Sequence, residues 1–211
     1  MKRPLLVGIA GGTSAGKSTF ARLVAEEIGT ERALILAESS YYHDKKSAGA
    51  RAETINFDHP DSIDFGLMRK HLEELIGGRS IPRLVYHRDA SVREETGERI
   101  EPRRVIIVEG ILILAADAVR ELLDVKIFID ADSDLRFIRR LGRDLTEKGL
   151  DFEDICTAYL ERIKPMHLRF VVASKRHADI IVPMGGRNVA AVEMVISRIQ
   201  TALAEGDASG S

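Results

Sequence analysis

The sequence has no tryptophan and a single cysteine, Cys156. One thiol excludes an intramolecular disulfide and any cysteine-based zinc cluster. Lying in a helical stretch, Cys156 reads as a small packing residue. Neither sign of charge dominates: 31 Lys and Arg stand against 33 Asp and Glu, for a net charge of −2. That balance is not the basic excess of a general nucleic-acid binder. No run reaches the roughly 18 apolar residues of a membrane span. The most apolar runs, Val105–Val108 and Ile111–Ala116, are split by Glu109 and Gly110. Met1-Lys2-Arg3-Pro4 leads into a short apolar run and then glycines, unlike a secretory signal. The expectation is a cytoplasmic, soluble protein with no nucleic-acid or membrane partner. With 45% apolar and 30% charged residues in 211, the chain is globular and large enough for one domain with a proper core.

Short, uniformly apolar runs mark strands covered on both faces: Leu5–Ala10, Ala33–Ala37, Val105–Val108, Val125–Ile129 and Asp179–Val182. Between them, apolar residues at helical spacing predict helices from Lys17 to Gly29, over Ser62–Ile76, Ser133–Lys148, Phe152–Phe170 with a break at Pro165, and Val189–Leu203. The alternation predicts an α/β fold with a doubly wound, five-stranded parallel sheet. Residues 81–101 interrupt it. Leu84–His87 and Arg99–Ile100 flank a polar stretch with Thr96-Gly97, and read as an inserted hairpin. The expected organisation is one domain over 1–204, followed by a frayed, disordered tail over 205–211.

Gly11-Gly12-Thr13-Ser14-Ala15-Gly16-Lys17-Ser18 fits G-x-x-x-x-G-K-[ST], with Thr19 following, between an apolar strand and an amphipathic helix. Glycines let the backbone curl its N–H groups inward, and the helix presents its positive end to the same point. Lys17 adds a charge for the β- and γ-phosphates, and the Ser18 hydroxyl suits Mg²⁺. Gly11 through Thr19 are therefore candidate nucleotide-binding residues, for ATP or GTP. Glu109 ends the apolar run from Val105. A carboxylate there either caps the next element or holds the metal of a phosphate-loop protein. The phosphate loop favours the metal.

Arg136, Arg139, Arg140 and Arg143 lie at i, i+3, i+4 and i+7 and share one helix face, opposite Leu135, Ile138, Leu141 and Leu145. Such a pattern serves as a solvated face or as a lid, here about 133–150, whose arginines close on transferring phosphate. Beside a phosphate loop the lid is preferred. The six histidines show no metal-ligand spacing and read as surface or capping residues.

With these features in place, the sequence resembles the uridine–cytidine kinase family of P-loop nucleoside kinases. The similarity runs from Gly8 to about Ile199. It includes Tyr41-Tyr42, Asn56-Phe57-Asp58-His59-Pro60-Asp61, Val85-Tyr86, Val108-Glu109-Gly110, Arg139-Arg140, Lys164-Pro165, Ala178–Pro183 and Gly185-Gly186. The Asn-Phe-Asp-His-Pro segment is far more particular than the phosphate loop. The resemblance implies a γ-phosphate transfer from ATP, with Mg²⁺, to the 5′-hydroxyl of a nucleoside. It implies that Asp58 and Arg140 hold the ribose hydroxyls and that Tyr86 lines a base pocket. Arg143, and Lys148 in place of another arginine, would reach from the lid. Ser18 and Glu109 would be on the metal side. A homotetramer is implied as well.

The departures bear on mechanism. The family usually carries an aspartate as general base where this chain has Ser39, with Glu38 one residue earlier. A serine is a poor base. Glu38 is the alternative, although neighbouring strand side chains face opposite ways. A positioned base is worth ~10²–10⁴-fold, and most phosphoryl-transfer catalysis is positioning and charge stabilisation. The change should therefore slow the reaction without abolishing it. Tyr86-His87-Arg88 replaces Tyr-Asp-Phe on the hairpin, Ser91 replaces an aromatic or histidine, Leu150 a lid arginine and Ala158 a glutamine. Ribose readout is expected intact and pyrimidine readout thinned. The competing readings are a kinase for a sugar phosphate or a pantothenate-like acceptor, and a nucleotide-binding protein with little turnover.

Overall fold

The computed structural model describes residues 2–44, 56–147 and 149–208. Five parallel strands form the central sheet in the order β2-β5-β1-β6-β7: β1 (Leu5–Gly11), β2 (Ala33–Ala37), β5 (Val105–Glu109), β6 (Val125–Ile129) and β7 (Ile180–Val182). The sheet and all five expected strands are present. β1 is central because its residues pack on both faces: Leu6 and Ala10 belong to one buried cluster, Val7 and Ile9 to the other. Helices α1 (Lys17–Ile28) and α7 (Val189–Ala208) cover the second cluster. Helix α2 (Phe65–Ile76) closes the first with Met68, Leu72 and Leu75, while α3 (Asp117–Arg120) adds Val119. No described helix is long and apolar enough to cross a membrane.

Boundaries differ from expectation where local chemistry overrides pattern. Pro60–Ser62 forms a separate 3-10 turn, and α2 begins only after Asp64, whose carboxylate accepts from Leu67 N at 2.9 Å. The inserted hairpin is longer than predicted. β3 (Ile81–His87) pairs with β4 (Val92–Ile100) around a turn at residues 88–91. Thr96 and Gly97 lie inside β4, where the register shifts opposite Pro82–Leu84, and Gly97 has φ +81°. Helix α4 spans Ser133–Thr146. After it, α5 (Phe152–Ala158) continues through wide π-type turns at Tyr159–Ile163 and His167–Val172 around α6 (Lys164–Met166). Pro165 therefore loosens this helical run instead of ending it, since a wider turn relieves the missing N–H and the ring clash. The final helix runs on to Ala208. The frayed tail expected from 205 is thus helical as far as the description extends.

Candidate active site

Where β1 meets α1, the chain turns through Gly16 at φ +97° and Ser14 at φ +60°. These are left-handed conformations that a glycine enters without steric cost. Gly12 and Gly186 are glycines for reasons of space. A Cβ on Gly12 would lie 2.6 Å from the Arg136 guanidinium, and one on Gly186 would collide with the Gly16 carbonyl. The Gly186 N–H donates to Ala15 O at 3.1 Å. The loop after β7 is therefore laid backbone to backbone on the phosphate loop.

Lys17 is buried, and its Nζ donates to Gly12 O at 3.0 Å. Burial pushes its pKa down, while Glu109 and Glu38 oppose that. Ser18 Oγ donates to Glu109 Oε1 at 2.8 Å. Two hard oxygen donors thus sit side by side at the end of β5, a set that suits Mg²⁺ with the remaining positions left to water and phosphate.

Glu38 is 2% exposed. Its carboxylate accepts from Leu112 N at 2.8 Å and from Ile111 N at 3.2 Å. Burial raises its pKa to about 7, against the pull of those amides and of Lys17. Strand alternation does not separate Glu38 from Ser39, because the chain leaves β2 and enters a 3-10 turn at Glu38–Tyr41. Both residues line the same cleft.

That cleft encloses about 1000 Å³. Thr13, Ser14, Gly16, Lys17, Ser18 and Thr19 form one wall, and Asp58, Glu109, Arg140 and Arg143 also face it. Gly11, Gly12 and Ala15 stand behind the wall as the buried backbone of the loop. Arg140 Nη1 donates to Thr13 Oγ1 at 3.1 Å, which ties the α4 helix to the phosphate loop. Asp144 is buried and holds Arg140 Nε and Arg143 Nε, each at 3.1 Å. The Arg140 Nε–H is not aimed at that carboxylate, so the contact is one of charge, not of a directed hydrogen bond.

Some predicted residues stand elsewhere. Tyr86 does not line the cleft; its ring packs on Tyr42 at 5.2 Å and Phe57 at 6.1 Å between centroids. Ser91 lies at the hairpin turn at φ +52°, with its hydroxyl on Arg88 O, and also stays out of the cleft. Lys148 lies outside the described residues. Arg136 departs from the lid face. It is 5% exposed, donates from Nε to Ala131 O at 3.0 Å and meets His167 Nε2 at 3.0 Å. It sits in the first turn of α4, directly beneath the loop, while later turns carry Arg139, Arg140 and Arg143 to the cleft. Burial and the Arg136 charge lower the His167 pKa to about 4. The ring is neutral, accepts at Nε2 and so carries its proton on Nδ1. The opposite face of α4 is open: Leu135, Ile138 and Leu145 are exposed.

Sequence reasoning did not place Arg88 and Arg162 as site residues, yet both line the cleft. The Arg88 guanidinium lies 5.3 Å from the Tyr42 ring centre and 5.4 Å from that of Phe57. The Tyr86-His87-Arg88 departure is the available signal; in the sequence it reads as a thinned base pocket, without showing that the Arg88 guanidinium enters the cleft.

A model of the phosphoribulokinase/uridine kinase family matches residues 6–191. The chain is 42% identical over 205 residues to a uridine kinase of Clostridium perfringens, covering 96% of this chain and 98% of that protein. It is 43% identical over 201 residues to a uridine kinase of Chloroflexus aurantiacus, covering 95% and 96%. Among solved structures, the fold is similar to a phosphoribulokinase from Rhodobacter spheroides (TM-score 0.65, 12% identity, 87% of this chain and 71% of that one). It is also similar to a D-glycerate 3-kinase from Cryptococcus neoformans (TM-score 0.60, 13% identity, 87% of each chain).

Proposed function

This chain belongs to the phosphoribulokinase/uridine kinase family, and from that premise we propose that it is an ATP-dependent phosphotransferase acting on the 5′-hydroxyl of a ribose-bearing acceptor, a nucleoside in the first instance. The observation that carries the reading is the convergence of one cleft: the phosphate loop with Lys17, the Ser18–Glu109 oxygen pair, the α4 arginines, and Asp58 facing them. Main-chain amides and Lys17 hold the triphosphate. Arg140 and Arg143, steadied by Asp144, meet charge developing on the transferred phosphoryl group. Ser18 and Glu109 would hold Mg²⁺, which supplies further charge neutralisation when bound. Asp58, an acceptor-only carboxylate, takes hydrogen bonds from sugar hydroxyls.

Ser39 leaves the acceptor hydroxyl without a strong base at that position. Glu38, held beside it with a pKa near 7, is the carboxylate placed to receive the proton, although its oxygens are already engaged by Ile111 and Leu112 amides. Catalysis then rests mainly on positioning and charge.

The test is a steady-state assay with Mg-ATP over uridine, cytidine, sugar phosphates and pantothenate, with calorimetry for nucleotide binding. Phosphorylation of a ribose-bearing acceptor at its 5′-hydroxyl supports the reading. Turnover on pantothenate alone, or nucleotide binding without turnover on any ribose-bearing acceptor, neutral or anionic, overturns it.

A further inference from the structure

The acceptor end of the cleft is more cationic than a neutral nucleoside requires. Of the described residues lining the cleft, Arg88 and Arg162 stand at the acceptor end with Asp58 as the carboxylate there. Lys17, Arg140 and Arg143 are accounted for by the phosphates and by Asp144. Arg88 is not. It projects from the hairpin turn, far along the chain from the phosphate loop, and spreads its guanidinium over Tyr42 and Phe57. The Tyr42 and Phe57 rings lie against it, and it hydrogen-bonds the Tyr42 side chain. Its charge is felt by Arg140 across the cleft, and Arg162 lines the same cleft.

Guanidinium groups only donate. A neutral pyrimidine edge presents donors as well as acceptors, and Ala158 and Ile163, which also line this cleft, offer it no polar partner. A group made only of acceptor oxygens with negative charge matches a preorganised fork far better. We infer that the true acceptor is a ribosyl compound bearing an anionic group where a nucleoside carries its neutral base, and that Arg88 selects it. This rests on the function proposed above and names the substrate class for that same cleft. The anion can come from two sources, a phosphate on C1 of the sugar or a carboxylate on a base. In either case the 5′-hydroxyl oxygen bonds to the γ-phosphorus, and the bond from that phosphorus to the β-bridging oxygen breaks. The nucleoside diphosphate leaves with that electron pair, and the hydroxyl proton passes to the Glu38 carboxylate and from there to water.

The experiment uses the full chain with Mg-ATP and matched acceptors: uridine against 5-carboxyuridine, and D-ribose against α-D-ribose 1-phosphate. Products are identified by phosphorus NMR. Each anionic acceptor that fits should exceed its neutral counterpart at least tenfold in kcat/KM, and which pair shows this identifies the source of the anion. Arg88 is exposed, so its variants are expected to fold. Arg88→Gln should lower kcat/KM for the anionic acceptor by about 10- to 100-fold, mostly through KM, and by clearly less for its neutral counterpart. Arg88→Lys should recover part of the loss. Uridine used as well as both anionic acceptors, or an equal loss on both members of a pair in Arg88→Gln, would overturn the inference while leaving the nucleoside kinase reading intact. Bound nucleotide with no acceptor consumed would overturn both.

Discussion

The two ends of the cleft are built by different means. At the end proposed to take the nucleotide the structure is backbone: a curled loop, glycines whose missing side chains leave room, and one lysine returned onto its own loop. At the acceptor end it is side chains drawn from distant segments. Asp58 comes from one loop, Arg88 from the hairpin, and Ala158 and Arg162 from the helical run after α4. Backbone geometry tolerates few sequences, so the first end is repeated across many proteins that handle triphosphates. Side-chain geometry changes with a single substitution, so under the proposed function the second end would set what is phosphorylated.

The contrast is open to attack, beginning with the largest effect. Lys17→Ala should reduce kcat by about 10²–10³-fold on every acceptor, as loss of a transition-state charge does. A loss confined to one acceptor would mean that the nucleotide end is not common to all. At the acceptor end, Ser39→Asp should raise turnover of uridine by about 10²-fold through a restored base, with nucleotide affinity unchanged by calorimetry. If turnover stays flat, the pocket and not the base is limiting.

Gly186→Ala sharpens the comparison, since it adds one methyl against the Gly16 carbonyl. Overpacking of this kind costs about 1–3 kcal/mol. It should appear as a lower Tm and weaker nucleotide binding, with acceptor preference unaltered. The smallest effect concerns His167. Its pKa of about 4 in the folded protein lies below the usual 6.5, so the unfolded chain takes up the proton first as pH falls. Stability should therefore decline between about pH 6.5 and 4. His167→Gln should flatten that part of the profile in thermal melts across pH.

The difference between the two ends also explains how much could be read from the chain. The five strands were legible because each is an apolar run buried on both faces, and the phosphate loop because its spacing is a mechanical requirement. The hairpin was legible between Leu84–His87 and Arg99–Ile100 but its turn was not located within the polar stretch, where Gly97 serves a register shift with a positive φ as readily as it would a turn. Periodicity put Arg136 on the same helical face as Arg140, as it is. It could not tell that the first turn of α4 would lie under the loop while the next turns faced the cleft. Arg88 was hidden for a related reason. Its meaning depends on Tyr42 and Phe57, which only the folded chain brings beneath it.

The contact between Gly186 and the phosphate loop has a consequence for the order in which the protein becomes competent. The motif is synthesised long before the strip of main chain that braces it. Chains are made from the N-terminus, and domains fold as units. A ribosome-bound fragment that stops short of β7 would carry every residue of the motif and still lack the rear support that fixes its curvature. The proposed nucleotide site would then be complete only once β7 and the loop after it have been made.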